Sequence, residues 1–214
     1  MSKNPAHLRQ EYSMASFHEK DADPNPFIQF TRWFHEAVDA QIDDVNAMTL
    51  ASSDAEGRAH ARIVLLKGIE NERFVFFTNY HSHKGQQIAQ NPHVSLVFYW
   101  KELQRQIRIE GLAEQVGRKE SEDYFHSRPV ESQLGAWASH QSEILHHRKD
   151  LEDRFAALQE LYAGQEIPCP PHWGGYAITP TMIEFWQGRM NRMHDRICYT
   201  RDEQDIWTKV RLNP

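Results

Sequence analysis

Apolar residues recur with a helical period near the start of the chain. Asn25-Pro26 predicts the first turn of a helix, because asparagine caps helix N-termini and proline fits the first turn. Residues 1–22 are polar, so we predict a flexible N-terminal segment, followed by one domain over residues 23–214. The buried face of the helix is predicted from five apolar residues at helical spacing: Phe27, Phe30, Phe34, Ala37 and Val38.

From residue 47 the apolar pattern changes to a period of two, which is typical of strands. Turns or a single short helix over 82–90 join these segments. Such short connections predict a closed or nearly closed antiparallel barrel and disfavour a parallel α/β sheet. The predicted strands cover residues 48–53, 59–67, 73–79, 93–100 and 104–116.

Two more helices and a set of closing strands are predicted in the C-terminal half. The helices cover 118–127 and 143–162, and Ser142 is the expected N-cap of the second. The apolar positions of that second helix are Ile144, Leu151, Phe155, Leu158 and Leu161. After a proline-rich break at 168–171, strands are predicted over 176–178, 183–186, 196–200 and 206–210. The fold class is therefore mainly β with flanking helices.

Composition and charge narrow the classes of function. The net charge of -6 argues against a general nucleic-acid or membrane-surface binder, and no apolar run approaches the length of a membrane span. The two cysteines form no C-x-x-C motif, which favours a reducing cytoplasmic location without a disulfide framework. Thirteen histidines are present, but their spacing does not match known metal motifs, so we expect no metal site.

Three basic side chains stand at alternate positions near the end of the chain: Arg192, His194 and Arg196. If this stretch is extended, all three point to one face, where an anionic or electron-rich ligand would compensate their charge. A solvated edge strand is the alternative explanation of the same spacing.

Other basic residues predict local anion sites in this acidic protein. Arg62 and Lys67 flank an apolar strand, and Lys84 lies in the first turn of the predicted helix that follows Ser82, where free N–H groups favour a phosphate. Tyr124 and Arg128 share a helix face, and with Ser132 they would form a phosphate clamp. Charged strand ends reaching water, and a capped helix end, are the alternatives.

From about Leu8 to Pro214, the chain resembles the FMN-dependent pyridoxine/pyridoxamine 5′-phosphate oxidases, which have a split antiparallel β-barrel of the FMN-binding type. The resemblance rests on ordered motifs at residues 62–67 (RIVLLK), 124–129 (YFHSRP), 133–137 (QLGAW), 185–188 (FWQG), 192–196 (RMHDR) and 211–214 (RLNP). His83 departs from the family, which usually has arginine there, and Met193 replaces a usual leucine.

The resemblance implies roles for particular residues. FMN would be bound by Arg62, Ile63, Val64, Leu65, Leu66, Lys67, Phe77, Thr78, His83, Lys84, Gln106, Gln141, Ser142, Trp186 and Arg196. The vitamin B6 substrate would be bound by Lys67, Tyr124, Arg128, Ser132, Arg192, Met193 and His194, with Arg9, Gln10, Glu11 and Tyr12 folding across the pocket. Arg192 and His194 would be catalytic.

The implied activity is the FMN-dependent oxidation of pyridoxine and pyridoxamine 5′-phosphates to pyridoxal 5′-phosphate, with oxygen as acceptor. The implied assembly is a homodimer with its flavin site at the subunit interface. A split-barrel flavin reductase, or a non-catalytic carrier of flavin or pyridoxal phosphate, are the alternatives. The reductase would lack the substrate-binding set, and the carrier would not transfer electrons.

Overall fold

Strands dominate the computed structural model, which describes residues 11–214. Within these residues the strands are β1 (Ala47–Ser53), β2 (Ala59–Leu65), β3 (Gly68–Glu70), β4 (Arg73–Asn79), β5 (His93–Trp100), β6 (Arg105–Gln115), β7 (Trp173–Gln187), β8 (Asp195–Arg201) and β9 (Trp207–Arg211). The α-helices are α1 (Pro26–Asp39), α2 (His83–Gln90), α3 (Arg118–His126), α4 (Val130–Ala138) and α5 (Arg148–Leu161). Within the described part of the chain, no helix combines the length and apolar character needed to cross a membrane.

Hydrogen-bonded strands follow the order β2-β1-β5-β6-β7-β4-β3, and β8 pairs with both β7 and β9. The chain divides into two compact units. Among the described residues, the first contains 11–49, 95–110 and 180–214, and the second contains 50–94 and 111–179.

The first unit has an aromatic core. Phe30 of α1 lies 5.3 Å from Phe98 between ring centroids, and Trp33 lies 5.3 Å from Phe185. Phe17 packs 4.9 Å from Trp33, although it falls in the segment predicted to be flexible, and Ala22 of that segment is buried too. The lid role predicted for the start of the chain stays a prediction.

The second unit surrounds a separate cluster of apolar side chains. Its buried members include Phe125 of α3, Leu134 of α4 and Trp173 at the start of β7. β4 pairs with β7 in antiparallel register, from Phe74 opposite Ile178 to Asn79 opposite Trp173. This pairing places the end of β4 beside the beginning of β7.

Asn25 and Ser82 confirm the predicted helix starts. The Asn25 side chain accepts hydrogen bonds from the first turn of α1, and Ser82 is the N-cap of α2. Val38, predicted to belong to the buried face of α1, is instead 46% exposed. It stands in the last turn of the helix, beyond the buried positions that end at Ala37.

Two predictions about elements were wrong, and two elements were missed. The segments 176–178 and 183–186 are one strand, β7, whose pairing with β4 ends at Ile178 and whose pairing with β8 begins at Met182. Pro180 falls at this change of partner, where a strand tolerates the loss of an N–H. Helix α4 and the three-residue strand β3 were not predicted at all.

The second wrong prediction concerns the start of α5. It begins at Arg148 rather than at residue 143, with His147 as its N-cap. Ser142 cannot be that cap, and its φ of 76° places it in the left-handed region, outside any helix. Ile144 is 86% exposed and Leu161 60% exposed, so the predicted apolar stripe is too long at both ends.

Candidate active site

A cavity of about 660 Å³ lies in the second unit, at the ends of β2 and β4 and beside α2, α3 and α4. Residues predicted from separate motifs line it together. From the predicted cofactor set these are Ile63, Val64, Leu65, Lys67, Phe77, Thr78, Lys84 and Gln141, and from the substrate set Lys67, Tyr124, Arg128 and Ser132. The individual roles of these residues stay predictions.

Lys84 projects from the first turn of α2. Its Nζ lies 3.2 Å from Thr78 Oγ1 and 3.1 Å from Gln141 Oε1, so it links three separate segments of the cavity wall. Burial lowers the pKa of Lys84, and the positive charge of Arg62 lowers it further. A bound anion would reverse both effects, because it would stabilise the charged ammonium.

Arg62 does not line the cavity itself, but it is anchored close to this charge. Its Nη1 donates to Ser52 Oγ at 2.6 Å and to the Leu50 carbonyl at 3.2 Å, and its Nη2 donates to Gln87 Oε1 at 2.9 Å. Burial lowers the pKa of this guanidinium. Arg62 and Lys84 therefore form one cationic pair held by neutral groups.

Arg128 follows α3 and stacks on the wall of the cavity. Its guanidinium carbon lies 4.6 Å from the centroid of the Trp173 ring, and burial lowers its pKa. Tyr124 is stacked on Phe77 with a centroid distance of 4.0 Å. Among the described residues, Arg128 Nη1 is buried without a hydrogen-bond acceptor, which points to a ligand as its partner.

Four cationic side chains lie in or beside the cavity of the second unit: Arg62, Lys67, Lys84 and Arg128. Within residues 11–214, none of them forms a salt bridge with a carboxylate at 4.0 Å or less. Arg62, Lys84 and Arg128 are partly buried, and partly buried cations without acidic partners are costly unless an anion binds. The cavity is therefore suited to anionic ligands.

Three other residues of the predicted cofactor set lie near the start of α2 or just after β2: His83, Ser142 and Leu66. The N–H of His83 donates to Ser142 Oγ at 3.2 Å, and both residues are exposed. Leu66 is buried. The apolar sequence of β2 allows a buried strand. In the structure, however, Ile63 is 64% and Leu65 40% exposed.

A second cluster of predicted residues lies in the first unit. Tyr12, Trp186 and His194 form mutual ring contacts, with centroid distances of 5.7 Å from Tyr12 to Trp186, 5.8 Å from Tyr12 to His194 and 4.6 Å from Trp186 to His194. Gly188 makes room for this packing, since a Cβ there would lie 2.8 Å from the Tyr12 ring. Glu11 Oε2 accepts the N–H of Asn191 at 3.4 Å.

The predicted alternation of Arg192, His194 and Arg196 on one strand face was wrong. Residues 190–192 form a 3-10 turn in which Arg192 has a φ of 60°, and β8 begins only at Asp195. Arg192 and Met193 are exposed, and His194 is half-buried. A turn removes the two-residue period on which the shared face depended.

Arg196 is held by an acidic partner. Its Nε and Nη2 donate to the two carboxylate oxygens of Glu184, at 2.8 and 3.0 Å, and its Nη1 donates to the Asn213 carbonyl at 2.9 Å. Gln106 lies half-buried in β6. Arg9 and Gln10 lie outside the described residues.

The environment of His194 determines its protonation. Its Nδ1 accepts the Arg189 N–H at 3.1 Å, so the neutral ring carries its proton on Nε2. Burial lowers its pKa, the positive charge of Arg192 lowers it further, and Asp195 partly offsets this. His194 is therefore more often neutral near pH 7 than an ordinary histidine.

Replacing Arg192 with methionine is expected to raise the pKa of His194, because the protonated imidazole no longer faces a neighbouring positive charge. Titration of the His194 ring by NMR, assigned with the His194→Gln variant, measures this shift. Lys101→Met removes an exposed charge elsewhere in the first unit and should leave the titration unchanged. A His194 pKa that stays the same or falls in Arg192→Met contradicts the expectation.

Several residues of the second unit's site were missed by the sequence analysis. Trp173 stacks with Arg128, and Gln87 and Ser52 bind Arg62. A signal existed for Gln87, since it is a polar residue beside Ile88 on the apolar face of α2. Ser52 and Trp173 carried no comparable signal. Among the described residues, no group of three or more His, Cys, Asp or Glu side chains is placed to hold a metal ion.

Comparisons with known proteins cover both halves of the chain. Residues 34–162 match the sequence family described as pyridoxamine 5′-phosphate oxidase, and residues 173–214 match the pyridoxine 5′-phosphate oxidase C-terminal dimerisation region. The chain is 55% identical to the pyridoxine/pyridoxamine 5′-phosphate oxidase of Paraburkholderia phymatum over 209 residues, or 98% of each chain. It is 50% identical to the protein of that name from Gloeothece citriformis over 214 residues, or 100% of each.

Solved structures agree with these sequence matches. PhzG from Burkholderia lata, crystallised with tetrahydrophenazine-1-carboxylic acid, matches with a TM-score of 0.89 and 31% identity, over 94% of this chain and 99% of that one. A pyridoxamine 5′-phosphate oxidase-related, FMN-binding protein from Nostoc punctiforme matches with a TM-score of 0.71 over 89% of this chain and 98% of that one, and at 16% identity it shows the split-barrel fold alone. With its full-length relatives, its two matching regions and this shared fold, the chain belongs to the pyridoxine/pyridoxamine 5′-phosphate oxidase family.

Proposed function

We propose that this protein oxidises pyridoxine 5′-phosphate and pyridoxamine 5′-phosphate to pyridoxal 5′-phosphate, with FMN as cofactor and oxygen as electron acceptor. The observation that carries the proposal is the cavity of the second unit, which is bordered by two cationic pairs without acidic partners among the described residues. Two pairs suit two phosphate esters, one on the cofactor and one on the substrate. The names of the full-length relatives support the same reaction.

The residues present fit FMN. Arg62 and Lys84 supply positive charge near the N-terminus of α2, where the helix dipole also favours a phosphate. Gln141 and Thr78 add polar groups beside Lys84. The exposed apolar side chains of Ile63 and Leu65 offer a surface for a planar ring. When bound, FMN supplies the hydride acceptor and passes the electrons to oxygen, which gives hydrogen peroxide.

The second cationic pair would hold the substrate. Lys67 and Arg128 would bind its phosphate, with Arg128 using the Nη1 group that lacks an acceptor among the described residues. The hydroxyl groups of Tyr124 and Ser132, which line the same cavity, would complete the clamp. A phosphate fixed in this way orients the ring, so that the carbon that is oxidised is presented in one position.

Proton movement is assigned to His194, with Arg192 beside it. The carbon next to the hydroxyl or amine loses a hydride, and the hydroxyl or amine loses a proton. Pyridoxine 5′-phosphate then gives the aldehyde directly, and pyridoxamine 5′-phosphate gives an imine that water hydrolyses to the aldehyde and ammonia. The neutral His194 ring would take up the proton from the hydroxyl or amine on Nδ1, which then gives up the hydrogen bond it accepts from the Arg189 N–H, and would pass the proton on to water.

We also propose that the protein acts as a cytoplasmic homodimer, with flavin contacts from both subunits. The dimerisation region matched by residues 173–214 supports this assembly. The exposed apolar residues of β2 are suited to be covered in it. Both cysteines, Cys169 and Cys198, are buried free thiols, which is consistent with a reducing compartment.

A second candidate substrate comes from the PhzG structure, whose ligand is a tricyclic carboxylic acid rather than a phosphate ester. Arg128, whose Nη1 is buried, and Lys67, which lines the same cavity, would bind either anion. Full-length relatives at 50% and 55% identity, against 31% for PhzG, favour the vitamin B6 phosphates. A flavin reductase or a carrier would not oxidise either compound.

Anaerobic addition of pyridoxamine 5′-phosphate to the FMN-loaded protein tests the proposal. We expect the yellow flavin absorption to bleach, and to return with one hydrogen peroxide and one ammonia per turnover once oxygen is admitted. Unphosphorylated pyridoxamine and a tetrahydrophenazine carboxylate serve as matched comparisons. Bleaching by the phenazine compound alone would support the second candidate, and no bleaching by any of the three would leave a reductase or a carrier.

A further inference from the structure

The guanidinium of Arg62 is bound along one edge by two side chains that also bind each other. Ser52 Oγ accepts from Arg62 Nη1 at 2.6 Å and donates to Gln87 Oε1 at 2.7 Å, while Gln87 Oε1 also accepts from Arg62 Nη2 at 2.9 Å. Ser52 is 4% and Gln87 8% exposed, so the arrangement is buried. Buried hydrogen bonds of this kind fix a rotamer, because breaking them leaves unsatisfied groups.

One edge of the Arg62 guanidinium has N–H groups that remain for a ligand. A guanidinium has five N–H groups. Both N–H groups of Nη1 are used, by Ser52 and by the Leu50 carbonyl, and one N–H of Nη2 is used by Gln87. The Nε–H and the second Nη2–H have no acceptor among the described residues. These two form the parallel fork that binds phosphate through two hydrogen bonds.

The groups that hold Arg62 are neutral, which distinguishes it from the arginine of the first unit described above. Arg196 is held by the buried carboxylate of Glu184, which compensates its charge. Ser52 and Gln87 give Arg62 a comparable number of hydrogen bonds and leave its full positive charge for a ligand. Lys84 in the first turn of α2 lies close enough to be affected by this charge, since burial lowers its pKa and the positive charge of Arg62 lowers it further.

We propose that Gln87, together with Ser52, is a positioning residue that turns the Nε/Nη2 edge of Arg62 toward the FMN phosphate while keeping its charge uncompensated. This inference rests on the proposed function, because it takes FMN as the cofactor. Gln87 does not touch the ligand in this role and acts through Arg62.

Gln87→Glu tests the inference, since it preserves the shape of the side chain and places a carboxylate against Arg62. We expect the Kd of the apoprotein for FMN to rise by about 10- to 100-fold, because the new carboxylate compensates Arg62. The Kd for riboflavin, which lacks the phosphate, should stay the same, and the apoprotein should melt at the same or a higher temperature. Gln86→Glu, an exposed change of equal charge in the same helix, is the matched control and should retain the preference for FMN.

Gln87→Met provides a second variant that introduces no charge. It should weaken FMN binding in the wild-type background and add no further loss in an Arg62→Met background, which shows that Gln87 acts through Arg62. Equal FMN-to-riboflavin preference in Gln87→Glu and in the wild type overturns the inference alone. A wild-type protein without any preference for FMN over riboflavin overturns the proposed cofactor as well.

Discussion

Replacing Arg128 with methionine is expected to lower kcat/KM for pyridoxamine 5′-phosphate by about 100- to 1000-fold, because a buried charge-assisted contact to the substrate phosphate is lost. Methionine preserves much of the packing on Trp173, over whose ring the guanidinium carbon lies at 4.6 Å. The Kd for FMN should stay within a few-fold of the wild-type value, since the FMN phosphate is assigned to Arg62 and Lys84. Steady-state kinetics and flavin titration measure the two quantities separately.

Arg148→Met is the matched control for this change. Arg148 is exposed and pairs only with Glu152 on the surface of α5 among the described residues, so its removal should leave both quantities unchanged. Pyridoxamine without its phosphate adds a second comparison. The Arg128 assignment is wrong if Arg128→Met loses activity toward the phosphorylated and unphosphorylated amines by the same factor.

Replacing Gly85 with alanine is expected to destabilise the apoprotein by about 3 kcal/mol and to abolish tight FMN binding. A Cβ at this position would lie 2.1 Å from the Tyr80 carbonyl oxygen and 2.6 Å from its carbon, and backbone atoms cannot move away as a flexible side chain can. Relief of this contact requires a shift of α2, which carries Lys84 and Gln87. Denaturant unfolding of the apoprotein and FMN titration provide the measurements.

Gly135→Ala makes the same substitution in another helix. No atom lies within 4 Å of the Cβ that would be added in α4, so alanine should stabilise the apoprotein by about 0.5–1 kcal/mol through its higher helix propensity. A loss of stability in Gly85→Ala no larger than about 1 kcal/mol would show that α2 accommodates the methyl group.

Most of the helices and strands were predicted from local sequence patterns, because their formation depends mainly on residues that are neighbours in sequence. The caps Asn25 and Ser82 and the period-two strands are of this kind. The errors arise where tertiary pairing decides the outcome. Strand β7 continues through Pro180 because its partner changes there, and the alternation of Arg192 and Arg196 is broken by a turn that the spacing does not reveal.

Residues that the resemblance named motif by motif meet in the cavity of the second unit, and their individual roles stay predictions. Lys84 and Arg128 were also indicated by local patterns of basic residues, and the structure brings both to one cavity. The groups that hold Arg62 were harder to find. Gln87 and Ser52 are 35 positions apart in sequence and meet only after folding, so no local pattern could indicate their contact.

The sequence separation of contacts in the first unit has a consequence for the rate of folding. Arg211 binds Glu19 across 192 positions and binds Asp195, which in turn accepts the Phe17 N–H across 178 positions. Closing loops of this length costs entropy before any contact compensates it, and high contact order slows folding. The Arg211–Glu19 ion pair and the Phe17–Asp195 hydrogen bond therefore belong to late folding events, and variants of Glu19 should speed unfolding more than they slow folding.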